Sequence, residues 1–304
     1  MTLYRPEKYY QQFREENKKA FYLAFLRVSL SVWLLVELYV NRCCEQMQYG
    51  AEKFVVNTHK TTGAIINISF AFVNNHLALL IYAFVILCIL NLLGIGKWCT
   101  ALLLFLITDL FQKINEPCVN GGDKMARLVL FYLIFADSYQ YFVLIKNKNS
   151  NGDKQKIINL LSNVSAYSIM IQLCVAYFFS AVAKLQTEAW RNGEAVYYAF
   201  MMERFAGTSL NYKLAHSKLF VTGATYFVLL FELLFPFLIW VKKFRLPFIV
   251  MGVIVHIGIY FFMMIYGFQV IFILLYGLFF TNEQVLQIVN RFLKKSNLKK
   301  QIIA

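Results

Sequence analysis

Long apolar segments alternate with short polar loops along most of the 304-residue chain. A helix that crosses a lipid bilayer needs about 20 mostly apolar residues, with a range of about 17 to 25. Eight segments approach this length, the third and the eighth being the shortest. They are 21–40, 77–93, 98–112, 125–145, 166–185, 219–241, 247–265 and 268–280. The pattern predicts an all-α, polytopic transmembrane bundle of about eight spanning helices.

The composition supports a membrane protein and argues against a nucleic-acid-binding one. Hydrophobic residues make up 60% of the chain and charged residues 15%, whereas soluble domains have roughly 45–50% and 25%. A net charge of +14 would suit nucleic acid if the Lys and Arg residues shared one face. They lie instead in the loops between apolar segments. We therefore expect a lipid bilayer and no nucleic acid as the partner of this chain.

The distribution of Lys and Arg also predicts an orientation, because cytoplasmic loops collect these residues. With both termini cytoplasmic, the inside segments hold more than half of the 30 Lys and Arg. The longest connections, 41–76 and 186–218, then fall outside, where long loops tend to carry function. A short helix is predicted over 192–205. The first twenty residues are too charged for a signal peptide, so the first span is expected to be a retained anchor.

The C-terminal segment has apolar residues at helical spacing instead of a continuous apolar run. They are Val285, Leu286, Ile288, Val289, Phe292 and Leu293, and Lys294 and Lys295 follow. A helix of this kind lies in the membrane interface. The predicted organisation is one transmembrane domain over 1–281 and a basic, amphipathic cytoplasmic tail over 282–304.

Ionisable side chains inside the predicted spans each need a reason, because one near the bilayer centre costs about 2.5 to 3.5 kcal/mol on insertion scales. Arg27 and Asp137 both fall toward the cytoplasmic half and are predicted to form a buried pair, with a snorkelling Arg27 as the alternative. A second group falls toward the outer half or mid-depth and suggests a polar cavity that opens outward. Its members are Glu37, Asp109, Asp123, Arg127, Lys184, Glu232 and His256.

Lys184 is the most suggestive of these residues. Tyr177, Ser180 and Lys184 share one helix face, at spacings of three, four and seven residues. A lysine held partly out of water has its neutral form favoured and can serve as a base. The alternatives are an interface anchor for Lys184 and, for His256, a core histidine hydrogen-bonded across helices.

The six cysteines divide by location. Cys88, Cys99 and Cys174 lie in predicted helices and are expected to be packing residues. Cys43, Cys44 and Cys118 fall outside, where an oxidising compartment would permit a bridge from Cys118 to one of the pair. No Cys or His spacing resembles a metal site, and the chain has neither a phosphate-binding glycine loop nor a nucleophile-elbow serine. No metal is expected.

Residues 177–185, Tyr-Phe-Phe-Ser-Ala-Val-Ala-Lys-Leu, are followed by Trp190 and Gly193. This stretch resembles the active-site segment of vitamin K-dependent gamma-carboxylase. It is also similar to the bacterial membrane proteins that share the carboxylase core, the horizontally transferred transmembrane family, which includes the sporulation-delaying-protein B group. The resemblance spans roughly 109–280 and includes the Asn-Gly-Gly-Asp sequence at 120–123 and His256. It implies that Lys184 matches the lysine that deprotonates vitamin K hydroquinone.

The resemblance further implies an enzyme of the bacterial cytoplasmic membrane that uses a reduced quinone, of the menaquinol or vitamin K hydroquinone type, in an outward-facing site. Oxygenation of the quinol would supply a strong base for modifying a secreted peptide. Expected catalytic residues are Lys184, His256 and Asp123, and expected substrate-binding residues are Tyr177, Ser180, Asn120, Arg127 and Trp190. Two other functions stay open. The chain could be a non-catalytic membrane protein that assists maturation or export of a peptide toxin, or a small transporter with Glu232 and His256 along its path.

Overall fold

The described part of the chain is almost entirely helical. The computed structural model describes residues 6–44, 64–114, 116–145, 152–205, 207–265 and 267–295, and no strand occurs in these ranges. The helices, in chain order, are α1 (Pro6–Glu15), α2 (Ala20–Asn41), α3 (Ala64–Leu93), α4 (Lys97–Ile114), α5 (Gly121–Phe135), α6 (Asp153–Leu185), α7 (Glu188–Arg191), α8 (Ala195–Met201), α9 (Leu210–Ala215), α10 (Lys218–Leu238), α11 (Lys242–Met263), α12 (Phe268–Tyr276) and α13 (Asn282–Lys295). The all-α prediction is confirmed.

Within the described ranges, five helices are long and apolar enough to cross a membrane, and a sixth is added if one bent pair is counted as a single span. The five are Ala20–Cys44, Asn75–Leu93, Asp153–Leu185, Lys218–Leu238 and Lys242–Met263, and the bent pair is Phe268–Phe279 with Asn282–Arg291. The chain is therefore a membrane-embedded helical protein. The predicted count of eight spans is not confirmed.

The difference between the eight predicted spans and the five or six in the structure arises at three helices. α4 has only 18 residues, and three of them, Lys97, Asp109 and Lys113, are charged. α5 ends at Phe135 after 15 residues, and irregular backbone follows it. The predicted span over 125–145 is therefore wrong in its second half. α12 has only nine residues, too few to cross a bilayer alone.

The chain divides into two compact units, and the boundary lies inside α6. One unit comprises Met1–Ala166 and Phe280–Ala304, and the other comprises Tyr167–Phe279. A single domain over 1–281 with a separate tail stays a prediction. The tail does contain the expected helix, α13. Residues 296–304 and the side chains of Ile288, Phe292 and Leu293 lie outside the described set.

Arg27 organises the first unit. Its side chain is fully buried, and a guanidinium has five N–H donors. In the described structure all five donate to backbone carbonyls. The acceptors are Ser138, Asn91, Leu92, Tyr141 and Phe142. Two of these carbonyls belong to the last turn of α3, where they have no intrahelical partner and carry the negative end of the helix dipole.

The predicted ion pair between Arg27 and Asp137 is therefore wrong. The Asp137 carboxylate accepts a hydrogen bond from Gln140 Nε2 at 2.8 Å, and the Asp137 backbone N–H donates to Ser162 Oγ at 3.0 Å. The positive charge of Arg27 is balanced by the partial negative charges of backbone carbonyl oxygens. Every residue has such a carbonyl, so the sequence pattern does not indicate which ones Arg27 contacts.

The end of α1 is held by two asparagines of α6, four residues apart and therefore on one helix face. The Asn159 and Asn163 side-chain amides each donate to two carbonyls at the end of α1. The acceptors are Arg14 and Glu15 for Asn159, and Phe13 and Glu16 for Asn163. These carbonyls are left without partners when a helix ends. These two polar residues of α6 thus have a structural role.

The cysteine predictions are confirmed in part. Cys88 and Cys174 are buried, as expected for packing residues, whereas Cys99 is exposed, so its assignment was wrong. Cys43, Cys44 and Cys118 are exposed free thiols in this structure. The predicted bridge from Cys118 is not formed here.

The predicted orientation, with both termini inside, is tested by labelling single cysteines in a background without the native ones. Lys154→Cys lies in the first turn of α6, which we assign to the inside, and Lys213→Cys is exposed in the segment assigned to the outside. A membrane-impermeant maleimide added to intact cells should modify the Lys213→Cys protein. The Lys154→Cys protein should stay unmodified until the membrane is opened, and its labelling from outside would reverse the orientation.

Candidate functional site

Polar side chains from five helices come together inside the second unit. The residues are Tyr177, Ser180 and Lys184 on α6, Trp190 on α7, Glu232 on α10, His256 on α11 and Tyr276 on α12. Apolar and aromatic side chains surround them. Because uncompensated polar groups are costly in such surroundings, their contacts indicate what each residue does.

Lys184 lies at the end of α6 and uses all of its donors. Its Nζ donates to Ser180 Oγ at 3.0 Å and forms an ion pair with both carboxylate oxygens of Glu232. The Trp190 ring lies beside it, with 4.9 Å between Nζ and the ring centroid, a cation–π distance. The side chains of Lys184 and Glu232 are 20% and 10% exposed. The pair is thus largely removed from solvent.

These contacts change the expected state of Lys184. An ammonium has three donors, and the three oxygens around Nζ match them, so the geometry suits the protonated form. In this structure Lys184 is therefore a charged donor that is held by Ser180 and Glu232.

Tyr177 lies two turns before Lys184 on the same face and connects two further helices. Its hydroxyl is hydrogen-bonded to His256 Nε2 at 2.7 Å and to the Tyr276 hydroxyl. All three side chains are buried. The alternative expectation for His256, a hydrogen bond across helices, is met at Nε2, but Nδ1 is buried and has no hydrogen-bond partner within the described ranges.

Aromatic rings enclose this polar chain. Phe272 stacks on the His256 ring with centroids 5.1 Å apart, and Phe231 and Phe235 lie against Tyr177 at 5.4 and 4.6 Å. Gly252 lies beside the Tyr276 hydroxyl, and a Cβ at this position would collide with it. The lining therefore combines flat apolar surfaces with a few hydrogen-bonding groups.

Asn120 and Asp123 belong to the first unit, where they form the N-terminal cap of α5. Asn120 Oδ1 accepts from the backbone N–H groups of Gly122 and Asp123 at 2.7 and 3.2 Å. The Asp123 carboxylate accepts from the Asn120 N–H at 2.9 Å. This reciprocal arrangement is a capping box. Both residues thus have a structural role, and the catalytic role expected for Asp123 stays a prediction.

Arg127 also lies in the first unit and pairs with a carboxylate of α4. Its Nη1 lies 2.9 Å from Asp109 Oδ1, and Lys113 Nζ lies 2.7 Å from Asp109 Oδ2. The three side chains join α4 and α5. The substrate-binding role expected for Arg127 stays a prediction.

Two residues of the second-unit cluster were not predicted in these roles. Glu232 appeared as a lining residue of a transport path and not as the partner of Lys184, and Tyr276 was not singled out. Two charged residues in neighbouring apolar helices are a signal for a pair. For Tyr276 no comparable signal exists, because Tyr is common in this chain.

The reduced quinone expected from the sequence stays a prediction for this cluster. A quinone ring is flat and apolar with oxygens at its edge, and the cluster has aromatic faces, an ion pair and a His256 Nδ1 without a partner among the described residues. When bound, such a group would supply an acidic hydroxyl, and removal of its proton would begin its chemistry. Lys184, Glu232 and His256 are the residues that would hold it.

The comparisons with known proteins are partial. The chain is 30% identical over 140 residues to the uncharacterized protein YitO of Bacillus subtilis (strain 168), covering 44% of this chain and 43% of YitO. It is 27% identical over 148 residues to the sporulation-delaying protein SdpB of the same organism, covering 46% of this chain and 44% of SdpB. The matches thus span less than half the length of these relatives. No protein-family model matches, and no solved structure matches.

The relatives are bacterial, and the SdpB similarity agrees with the sporulation-delaying-protein B resemblance at the level of distant homology. Together with the apolar helices, these findings describe the chain as a helical, membrane-embedded protein distantly related to SdpB.

Proposed function

We propose that this chain is a membrane-integral enzyme of peptide maturation, in which the Lys184–Glu232 pair removes a proton from a reduced quinone. The modified substrate is a secreted peptide, and the site opens toward the outer face of the bacterial cytoplasmic membrane. The observation that carries the proposal is the largely desolvated pair of Lys184 and Glu232, set beside Ser180 and Trp190. The distant similarity to SdpB supports a link to a peptide system.

The proton step follows from the contacts of the pair. Lys184 transfers one proton to Glu232 and becomes a neutral amine, which then accepts a proton from the quinol hydroxyl. The ammonium that re-forms lies next to the new anion, while Glu232 stays neutral, so no net charge is created in the site. A positioned base of this kind contributes about 100- to 10,000-fold to a rate.

Ser180 and Trp190 orient the base. Ser180 is one turn before Lys184 and fixes the direction of Nζ through its hydroxyl oxygen. The Trp190 face supports the ammonium form by cation–π attraction. Both residues therefore favour the charge that Lys184 carries after it has accepted the substrate proton.

Glu232→Gln tests the proposal while preserving the size of the side chain. A carboxamide can neither take the proton of Lys184 nor balance the ammonium that forms when Lys184 accepts the substrate proton, so quinol consumption should fall by about 100-fold or more. The measurement uses purified protein in lipid vesicles with a short-chain naphthohydroquinone in air-saturated buffer, where dioxygen is the oxidant, and the optical rate is compared with that in protein-free vesicles. The peptides secreted by cells that carry each variant are compared by mass spectrometry.

Glu203→Gln is the matched control, because Glu203 is an exposed carboxylate of the same unit. It should consume quinol at the wild-type rate. If the Glu232→Gln protein consumes quinol at the wild-type rate, the Lys184–Glu232 pair does not take part in the reaction. The wild-type protein could also consume quinol no faster than protein-free vesicles do. If the secreted peptides then do not differ between the variants, the chain acts as a non-catalytic partner.

A further inference from the structure

The second unit contains a small group of buried polar atoms that the proton step does not use. Among its described residues, the buried side-chain nitrogen and oxygen atoms without a hydrogen-bond partner are His256 Nδ1 and both amide atoms of Gln269. His256 is 2% exposed and Gln269 is 3% exposed. Unpartnered buried groups are few in folded proteins, and each one calls for a reason.

These atoms lie on two helices that pack together. The His256 ring of α11 faces Phe268, Phe272 and Tyr276, which are spaced four residues apart on α12, with centroid distances of 5.6, 5.1 and 6.1 Å. Gln269 lies three residues before Phe272, so the two are neighbours on the surface of α12, and Phe272 stacks on His256.

The hydrogen bonds of Tyr177 determine which nitrogen of His256 carries the proton. If Tyr276 donates to the Tyr177 oxygen and Tyr177 donates to His256 Nε2, both hydroxyl protons are used. Nε2 is then an acceptor, so in the neutral ring the proton is on Nδ1. In the reverse direction Tyr177 would donate to Tyr276, and the Tyr276 hydroxyl proton would have no acceptor among the described residues. The Nδ1–H form is therefore favoured, and Nδ1 is a donor.

We propose that His256 Nδ1–H and the Gln269 amide N–H together bind an acceptor oxygen of the substrate, a quinone carbonyl or the anion formed when the quinol loses its proton. This inference rests on the proposed function and adds two assignments to it. Gln269 is a binding residue, and Tyr177 with Tyr276 are positioning residues that hold His256 in its donor form. Preorganised neutral donors of this kind stabilise an oxygen anion without adding a buried charge.

Direct binding of an oxidised short-chain naphthoquinone tests the inference without any turnover. Gln269→Met keeps the length of the side chain and removes its donors, so affinity should fall about tenfold, the effect of one lost hydrogen bond to a substrate oxygen. Gln140→Met, at an exposed glutamine of the first unit, should bind as the wild type does. Affinity is measured by equilibrium dialysis in detergent.

The role of the tyrosines has a spectroscopic readout. Nitrogen-15 resonances of His256, identified by their loss in His256→Gln, should show the proton on Nδ1 in the wild-type protein. Tyr177→Phe removes the donor to Nε2, so the two ring forms should become mixed. Tyr198→Phe changes an exposed tyrosine of the same unit and should leave the spectrum unchanged.

The outcomes separate this inference from the proposed function. Quinone binding that is unchanged in Gln269→Met, or a wild-type His256 with its proton on Nε2, overturns the inference and leaves the Lys184–Glu232 chemistry in place. A wild-type protein that binds no naphthoquinone overturns both.

Discussion

Lys184→Arg should consume quinol about 100- to 10,000-fold more slowly than the wild-type protein while it folds and inserts normally. Arginine keeps the positive charge and can pair with Glu232, so the contacts that stabilise the end of α6 remain. A guanidinium stays protonated in proteins and cannot accept a proton from the substrate. The rate is measured in vesicles with a short-chain naphthohydroquinone, and folded yield is measured by size-exclusion chromatography in detergent.

Lys184→Ala should lose the same activity and also lose folded protein, because it leaves Glu232 buried without its partner. Removing one member of a buried pair typically costs about 3 to 5 kcal/mol, less if the remaining acid becomes protonated. Combining Lys184→Met with Glu232→Gln removes both charges, so folded yield should recover while activity does not. This double variant separates the stability of the pair from its chemistry.

The control for the Lys184 series is Lys213→Arg, an exposed lysine of the same unit, which should behave as the wild type. If Lys184 were only an anchor at the membrane interface, Lys184→Arg would keep full activity and Lys184→Ala would mainly reduce insertion. An active Lys184→Arg protein would therefore end the proposal that Lys184 is the base.

Arg27→Met should prevent the first unit from folding. Methionine fills part of the same volume but removes five hydrogen bonds to carbonyls in a largely buried site, and within the described ranges only the Asn91 carbonyl keeps a second donor, the Gly94 N–H. Each unsatisfied buried group costs about 1 to 3 kcal/mol, so the total is on the order of the whole stability of a domain, about 5 to 15 kcal/mol. Folded yield and the midpoint of thermal unfolding in detergent measure the effect.

Arg27→Lys should be intermediate, because an ammonium offers three donors in place of five. Arg42→Met, at an exposed arginine that follows α2, should fold normally. Exchanging the charges of Arg27 and Asp137 should not restore folding, because the two side chains are not partners. Recovery in that double variant would show that an ion pair contributes after all.

The candidate site could be predicted only in part. The face of α6 that carries Tyr177, Ser180 and Lys184 follows from helical spacing alone, because residues three and four apart lie on one side of a helix. Their partners Glu232 and Tyr276 lie 48 and 99 residues further along the chain. Contacts over such distances depend on how helices pack, and periodicity carries no information about packing.

Asn120 and Asp123 show the opposite case. An Asn followed three residues later by an acidic residue, at the start of an apolar segment, is the local pattern of a capping box. The capping role was therefore readable from the sequence, although the resemblance drew attention to a catalytic one. Local hydrogen bonds of this kind need no tertiary contact.

The sequence by itself determined the apolar helices and therefore the membrane as their surroundings, because a spanning helix satisfies its own backbone and needs only apolar side chains. It did not determine how many helices span, since α5 ends at Phe135 while the apolar pattern continues. Tertiary structure decided that Arg27 binds carbonyls of α3 and of residues 138–142, and that Lys184 is paired with Glu232. The physical reason is that backbone carbonyls and distant side chains become neighbours only when helices pack.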